Sequence, residues 1–334
     1  AGEVVPAVTG KSWDDFVRER FFAPLRMART TTSHKQLLQT PNIATPHNEL
    51  GGRLRVIRYD NVDNTGGAAA INSSVADMAQ WLRLQLGRGT YEGRKIFSPE
   101  RSREMWTPHI VVSGVSEAAE KYNPTVHFNL YGLGWALGDY QGRKVVSHGG
   151  GLDGMISRVA LMPEENLGLV VLTNSETPLS SVISNKIFDT FLGVPRRDWS
   201  ADLLARTKQS REASAAAARK VEEARVRDTK PSLPLGSYAG TYTGAMFGDA
   251  KVALENGRLV VRLAPSPNFV GDLEHWHYDT FAIKWRDSVV YPFGRGFVTF
   301  TLNPQAGIDE MKIDVPNPDF DFKELEFRRA PAGR

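Results

Sequence analysis

Lys144-Val145-Val146-Ser147-His148-Gly149-Gly150-Gly151-Leu152-Asp153-Gly154-Met155-Ile156-Ser157 starts with the texture of a strand, reaches a histidine and runs through three consecutive glycines. The apolar pattern then resumes through Val159-Ala160-Leu161-Met162. Three glycines after a strand mean that something approaches the backbone closely, or that the chain takes φ values closed to other residues. A histidine beside such a backbone can polarise or protonate a ligand while free N–H groups hold an anion. A tight turn with an incidental histidine fits the same spacing, which leaves both readings open.

Working outward, Tyr131 to Leu137, Lys144 to Ser147, Met155 to Met162 and Leu167 to Thr173 are successive candidate strands. The polar turn Glu164-Glu165-Asn166 joins the last two into a hairpin. Leu179 to Leu192 then carries helical spacing, so the pattern predicts helices packed on an antiparallel sheet, an α+β arrangement. Upstream, Glu3 to Val8 reads as the end of a helix stopped by Gly10. Ser12 caps the next, with Trp13, Phe16, Val17 and Phe21 on one face until Pro24. Ser73-Ser74-Val75-Ala76-Asp77 opens an amphipathic helix whose apolar face is Val75, Met78, Ala79, Leu82 and Leu86, and Gly87 closes it. Pro99 after Ser98 begins another. Residues 30–67 are rich in turn signals, and a loop that long inside a domain is usually functional or disordered.

Ser210 to Asp228 is dense in Ala, Arg, Lys and Glu without an apolar stripe, the composition of a solvated helical spacer. Beyond Pro234 the texture becomes short alternating strands: Tyr238 to Thr243, Lys251 to Leu254, Arg258 to Leu263, Thr280 to Trp285, Phe297 to Leu302, Met311 to Val315 and Glu324 to Phe327. Asn256-Gly257 is a two-residue hairpin signal, and the whole predicts a small sandwich or barrel. The expected domains are therefore 1–195, a linker at 196–232, and 233–330.

The totals set limits. A chain of 334 residues with 41% hydrophobic and 24% charged residues has an ordinary globular composition. The net charge of +3 is spread along the chain and argues for neither nucleic acid nor membrane. Cysteine is absent, which excludes disulfides, thiolate nucleophiles and Cys-based zinc sites. No apolar run approaches a membrane span. The first residues, Ala-Gly-Glu-Val-Val, have neither an initiator Met nor a basic leader and look like a cut.

Several stretches together resemble the penicillin-binding-protein/class C β-lactamase-like serine hydrolases. They are Thr9-Gly10-Lys11-Ser12-Trp13 with Phe16, Val17, Pro24, Leu25 and Met27; Ile71 to Ala79 with Trp81-Leu82; Tyr131-Gly132-Leu133-Gly134-Trp135; and His148-Gly149-Gly150 followed by Pro163-Glu164-Glu165, Gly168 and Asn174. Arg26 replaces a usual glycine. Residues 234–328 resemble the lipocalin-like β-domain often appended to these enzymes. The resemblance implies an incomplete β-lactamase/transpeptidase-like fold followed by a lipocalin-like barrel.

It also implies a serine nucleophile with its lysine in S-x-x-K, a tyrosine in Y-x-N, and a K-T-G or H-x-G strand. Only the third is present, as His148-Gly149-Gly150. No serine here has a lysine three residues on. Tyr59-Asp60-Asn61 matches Y-x-N in form but follows the Pro24-Leu25 block, which the family's motif precedes, so it reads as a false match. By resemblance, His148 is the catalytic side chain, Gly149 and Gly150 line the substrate, and Gly151 supplies one oxyanion-hole N–H. An acyl-transfer site without its serine loses the covalent path, so this chain is expected to be inactive alone.

The expected partners are a small amide, ester or peptide substrate and a missing N-terminal segment or second copy of the chain, with dimerisation or strand exchange covering exposed apolar surface. No cofactor or metal is expected. His275-Trp276-His277 would put two histidines on one strand face, but no third ligand stands at a recognisable spacing. Trp81, Trp106 and Trp135 read as core, and Asp153 serves equally as a turn residue or a substrate contact. The resemblance implies residence in the periplasm or outside the cell, with specificity set by loops 30–67 and 107–130. If the absent nucleophile is native to the protein, the alternative is a binding module whose β-domain holds an apolar ligand or partner.

Overall fold

The computed structural model describes residues 1–317 and 320–331. The chain divides into two compact units, Ala1–Asn48 with Leu54–Leu203, and Glu49–Arg53 with Leu204–Arg334.

The first unit is built on one antiparallel sheet of six strands: β1 (Ile110–Val111), β2 (Leu130–Tyr131), β3 (Ala136–Tyr140), β4 (Arg143–Leu152), β5 (Met155–Met162) and β6 (Leu167–Thr173). Neighbours in sequence are neighbours in the sheet. Alternation along β4 to β6 sends side chains to two faces, and each meets a helix. On one, Ala160, Met162, Leu169 and Val171 pack with Val182 and Phe188 of the helix Leu179–Leu192. On the other, Leu137, Val146 and Leu161 pack with Leu82, Trp106 and Trp135. Leu82 belongs to the helix Val75–Leu86. Here 3.6-residue spacing in the helices meets 2-residue spacing in the strands, which gives a mixed unit with helices packed on both faces of an antiparallel sheet.

Local chemistry explains the helix boundaries. Ser12, Ser74 and Ser98 each accept a hydrogen bond from the backbone N–H three residues on, which satisfies a donor that the first helical turn leaves orphaned. Gly10 closes the first helix at φ 70. Two details differ from expectation. The helix from Trp13 is α only to Val17 and widens into a π-turn over Arg18–Phe22 before Pro24. Val75, assigned to an apolar face, is 56% exposed because it is the first residue after the cap. Residues 30–67 contain a helix (His34–Gln39) and a hairpin (His47–Leu50 with Arg53–Val56) as well as loop.

In the second unit the long helix Trp199–Glu223, whose first residues belong to the first unit, buries only Trp199. A closed eight-stranded antiparallel barrel follows: β7 (Gly240–Thr243), β8 (Ala250–Glu255), β9 (Arg258–Leu263), β10 (Val270–His277), β11 (Thr280–Trp285), β12 (Gly296–Leu302), β13 (Ile308–Asp314) and β14 (Phe327–Arg329). Tyr242 and Thr243 of β7 pair with Arg329 and Arg328 of β14, which closes the ring. Tyr238, Tyr242, Leu259, Phe281, Met311 and Ile313 are fully buried, so large side chains fill the interior. Asn256 and Gly257 take φ 49 and 78, the double positive φ of the favoured two-residue hairpin. Among the described residues no helix is long and apolar enough to cross a membrane.

Candidate active site

The three glycines do not make a turn. Gly149, Gly150 and Gly151 continue β4 in register against Arg158, Ser157 and Ile156 of β5, and none of them has a positive φ. The reversal comes later, at Asp153-Gly154, where Gly154 has φ 74. A Cβ on Gly154 would lie 2.7 Å from the backbone nitrogen of His47, so the turn is pressed against the loop preceding it. His47 N–H donates to the Gly154 carbonyl (3.2 Å), and Gly154 N–H donates to the Glu176 carboxylate (3.1 Å).

What distinguishes this half of β4 is an open edge. β3 pairs with Arg143 to Ser147 and stops there. From His148 to Leu152 the strand is paired only with β5, and His148 through Gly151 are exposed. Backbone donors and acceptors on the other margin are therefore available to a ligand. With no Cβ at three positions, that ligand can come up against the main chain.

His148 is not isolated on this edge. Its Nε2 lies 2.9 Å from the hydroxyl of Tyr131, and the two rings meet edge-on at 6.2 Å. With a neutral ring and Tyr131 donating, Nε2 accepts and the ring proton sits on Nδ1; the imidazolium instead donates from Nε2 to the phenol oxygen. Tyr131 is held by its backbone. It lies at the end of β2 opposite Ile110 and Ala136. Gly132 follows, donating to the Trp135 carbonyl at 2.8 Å. A Cβ on Gly132 would fall 2.2 Å from the Met105 carbonyl oxygen, so only glycine fits there. Trp106 and Trp135, both buried and edge-on at 6.3 Å, form the floor beneath this turn. Sequence reading placed Tyr131 in a core strand and missed its role, because a contact between residues 131 and 148 depends on the pairing of β2, β3 and β4.

The segment entering β2 is fastened separately. Asp139 accepts from the backbone N–H groups of His127 (2.7 Å) and Phe128 (3.2 Å) and pairs with the His127 ring at 2.6 Å. Partial burial alone would raise the Asp139 carboxyl; the hydrogen bonds from His127 and Phe128 outweigh it and hold it below the usual range. On the opposite face of the sheet from His148, Arg158 is largely shielded from water. Burial lowers its pKa, and among the described residues its Nε has no hydrogen-bond partner.

Other residues singled out in the sequence have ordinary work. The Tyr59 hydroxyl donates to the Ala44 carbonyl at 3.2 Å. The histidines of β10 do not share a face: a bulge sets His275 opposite Phe281 and His277 opposite Thr280, consecutive positions of β11. His275 Nε2 lies 3.0 Å from the Tyr278 carbonyl, and His277 Nδ1 accepts from Val226 N–H. Among the described residues no three His, Cys, Asp or Glu side chains converge as a metal site.

Residues 1–193 match the family described as Beta-lactamase, and residues 224–329 match a domain of unknown function, DUF3471. The chain is 28% identical over 267 residues to an unguisins hydrolase of Aspergillus campestris, covering 72% of this chain and 45% of that protein. It is 26% identical over 176 residues to penicillin-binding protein 4 of Amycolatopsis lactamdurans (52% and 44% covered). Among solved structures, it is similar to the octameric penicillin-binding protein homologue of Pyrococcus abyssi, with a TM-score of 0.49 at 17% identity, covering 98% of this chain and 62% of that one. The chain spans about half the length of the curated relatives it matches. With more than half of its residues, including the His148 strand, inside the matched family, the chain belongs to the β-lactamase family of serine hydrolases.

Proposed function

We propose that residues 1–195 supply one wall of a serine hydrolase centre that cleaves amides, esters or small peptides through an acyl-enzyme. The observation that carries this reading is the open edge of β4, where an exposed imidazole, held by Tyr131, adjoins three side-chain-free residues. An extended substrate can lie along this margin and pair with the main chain, leaving its carbonyl beside the backbone N–H groups. His148, the proposed catalytic side chain, moves or stabilises a proton; Gly149, Gly150 and Gly151 give close access, and the Gly151 N–H contributes to oxyanion stabilisation. Relatives named for hydrolysis of unguisins and for amidase activity on N-acetylmuramyl-L-alanine support the amide class.

The nucleophile is not part of this wall. No serine in the chain stands three residues before a lysine, so the S-x-x-K pair, and the Y-x-N tyrosine, come from residues outside this sequence. By itself the chain binds without turning over. In this reading 196–232 is a spacer and 233–330 an appended barrel.

The test is active-site labelling of the full-length gene product with a fluorophosphonate or a penicillin probe, followed by peptide mapping. The expected adduct is on a serine outside residues 1–334, with labelling slowed about 10²-fold or more by His148→Ala. An adduct within this chain, or none at all, overturns the proposal.

A further inference from the structure

We infer that Ser157 is a second substrate-contacting side chain of this site, donating its hydroxyl to an oxygen acceptor, a carbonyl or carboxylate, that flanks the reacting bond. This rests on the proposed reading of the His148 edge and adds a residue to it.

Ser157 stands directly opposite Gly150 in the β4–β5 ladder, so the two positions share a face of the sheet. His148, two residues before Gly150, projects to that same face. Along it, side chains pass from the buried pair Val146 and Leu161 to half-buried Val159, and then to exposed His148 and Gly150 with half-buried Ser157 beside them. The face thus changes from core to open surface, and the polar groups stand on the open part.

The Ser157 hydroxyl leans across the strand. A Cβ built on Gly150 would fall 2.4 Å from Ser157 Oγ but 3.8 Å from Ser157 Cβ. In this rotamer of Ser157 a methyl group on Gly150 would meet the hydroxyl oxygen alone and turn it aside, while the serine's carbon frame would tolerate that methyl. Gly149 and Gly151 differ: a Cβ there meets nothing nearer than 3.8 and 3.4 Å. Among the described residues the Ser157 hydroxyl has no hydrogen-bond partner within the chain, and Oγ is not sealed from solvent. A hydroxyl with no internal partner, given room by a glycine and sharing a face with an exposed imidazole, is placed to bond something that arrives from outside.

A double-mutant cycle in the full-length enzyme tests this, because Gly150→Ala displaces the hydroxyl without touching the serine. With an N-acyl amide substrate, Ser157→Ala is expected to lower kcat/KM about tenfold, the worth of one hydrogen bond. Gly150→Ala should have a similar effect. The double variant should be no worse than Ser157→Ala, since the new methyl then meets only a carbon at ordinary contact distance. A substrate analogue in which the flanking, non-scissile carbonyl is reduced to methylene should lose the Ser157→Ala effect. Melting temperatures, measured alongside, should stay within a few degrees of the parent.

Unchanged kcat/KM in Ser157→Ala, or a Gly150→Ala loss that persists in full on the Ser157→Ala background, overturns the assignment. His148→Ala is the control for the underlying reading: if it leaves activity intact, the hydrolase site lies elsewhere. If it abolishes activity while Ser157→Ala is silent, only the assignment of Ser157 falls.

Discussion

The Tyr131 hydroxyl, 2.9 Å from Nε2, couples the phenol to the protonation of the His148 imidazole. A phenol donating to Nε2 keeps the ring proton on Nδ1, the less favoured tautomer of a free imidazole. Tyr131→Phe removes that donor at an exposed site and leaves the backbone of β2 in place, so the fold should be retained. The ring should shift toward the Nε2–H tautomer, read from its ¹⁵N chemical shifts in labelled protein at neutral pH. Unaltered shifts would mean that the 2.9 Å contact does not set the proton's position. In the full-length enzyme the same variant should lower kcat more than it raises KM, because a misdirected proton affects the chemical step more than binding.

Among the elements, one contact that joins helix to sheet is polar. Asp189, buried in the helix Leu179–Leu192, accepts from the Tyr140 hydroxyl at the end of β3 and from Trp199 Nε1 (2.6 Å) at the start of the long helix. Burial, reinforced by the Asp189 carboxylate, drives the Tyr140 phenol far above its ordinary pKa, so it remains a donor at all working pH values. Asp189→Ala strands two buried donors and opens a small cavity; a loss of about 2–4 kcal/mol is expected in urea unfolding. Asp189→Asn keeps one acceptor and should lose less.

None of this network could be read from the chain, because residues 140, 189 and 199 meet only after the sheet has formed. The elements themselves were legible. Met155–Met162, Leu167–Thr173, Leu179–Leu192, Arg258–Leu263 and Thr280–Trp285 have the bounds that their alternation or helical spacing predicts. Of the strand Val270–His277 only His275-Trp276-His277 reads as strand in the sequence: its inward positions begin with Gly271, where a Cβ would lie 2.6 Å from Ile283, and a bulge breaks its period near Trp276. Of the glycines after His148, close approach is seen at Gly150, where a Cβ would lie 2.4 Å from Ser157 Oγ. Their alternative reading as a turn failed because glycine's tolerance of positive φ went unused there, while the space left by its missing side chain did not.

At the scale of the molecule, the barrel and the sheet make different demands. Tyr238, in the turn just before β7, is buried beside Phe281 and Phe300, its hydroxyl donating to Asp279 in the turn between β10 and β11. Burial, with the Asp279 carboxylate adding to it, pushes this phenol up to about 12. An unfolded tyrosine ionises near ~10. The folded state thus holds its proton more tightly, and the associated stability is complete below pH ~10 and drains away as pH rises through about 12. Tyr238→Phe should flatten alkaline unfolding followed by fluorescence; an unchanged profile would assign it to another group. The sheet, by contrast, ends in a bare margin, since β6 pairs only with β5, and Leu172 there is 38% exposed. We expect the isolated chain to associate through such surfaces, eluting above 37.0 kDa in size-exclusion chromatography. Leu172→Lys should return it toward the monomer; a clean monomer in the parent chain would refute the expectation.

The ring of the barrel is shut by the last of its own strands in chain order, which pairs with the first. Arg329 donates to the carbonyls of Ser237 and Ala239 and to the hydroxyl of Tyr242, fastening the final segment to the first. A ribosome must let Phe327–Arg329 emerge before the barrel can close, and until then seven strands wait with two raw margins. A stop codon placed just before Phe327 would therefore cost the cell the whole barrel, and leave it with material that chaperones must hold or proteases remove.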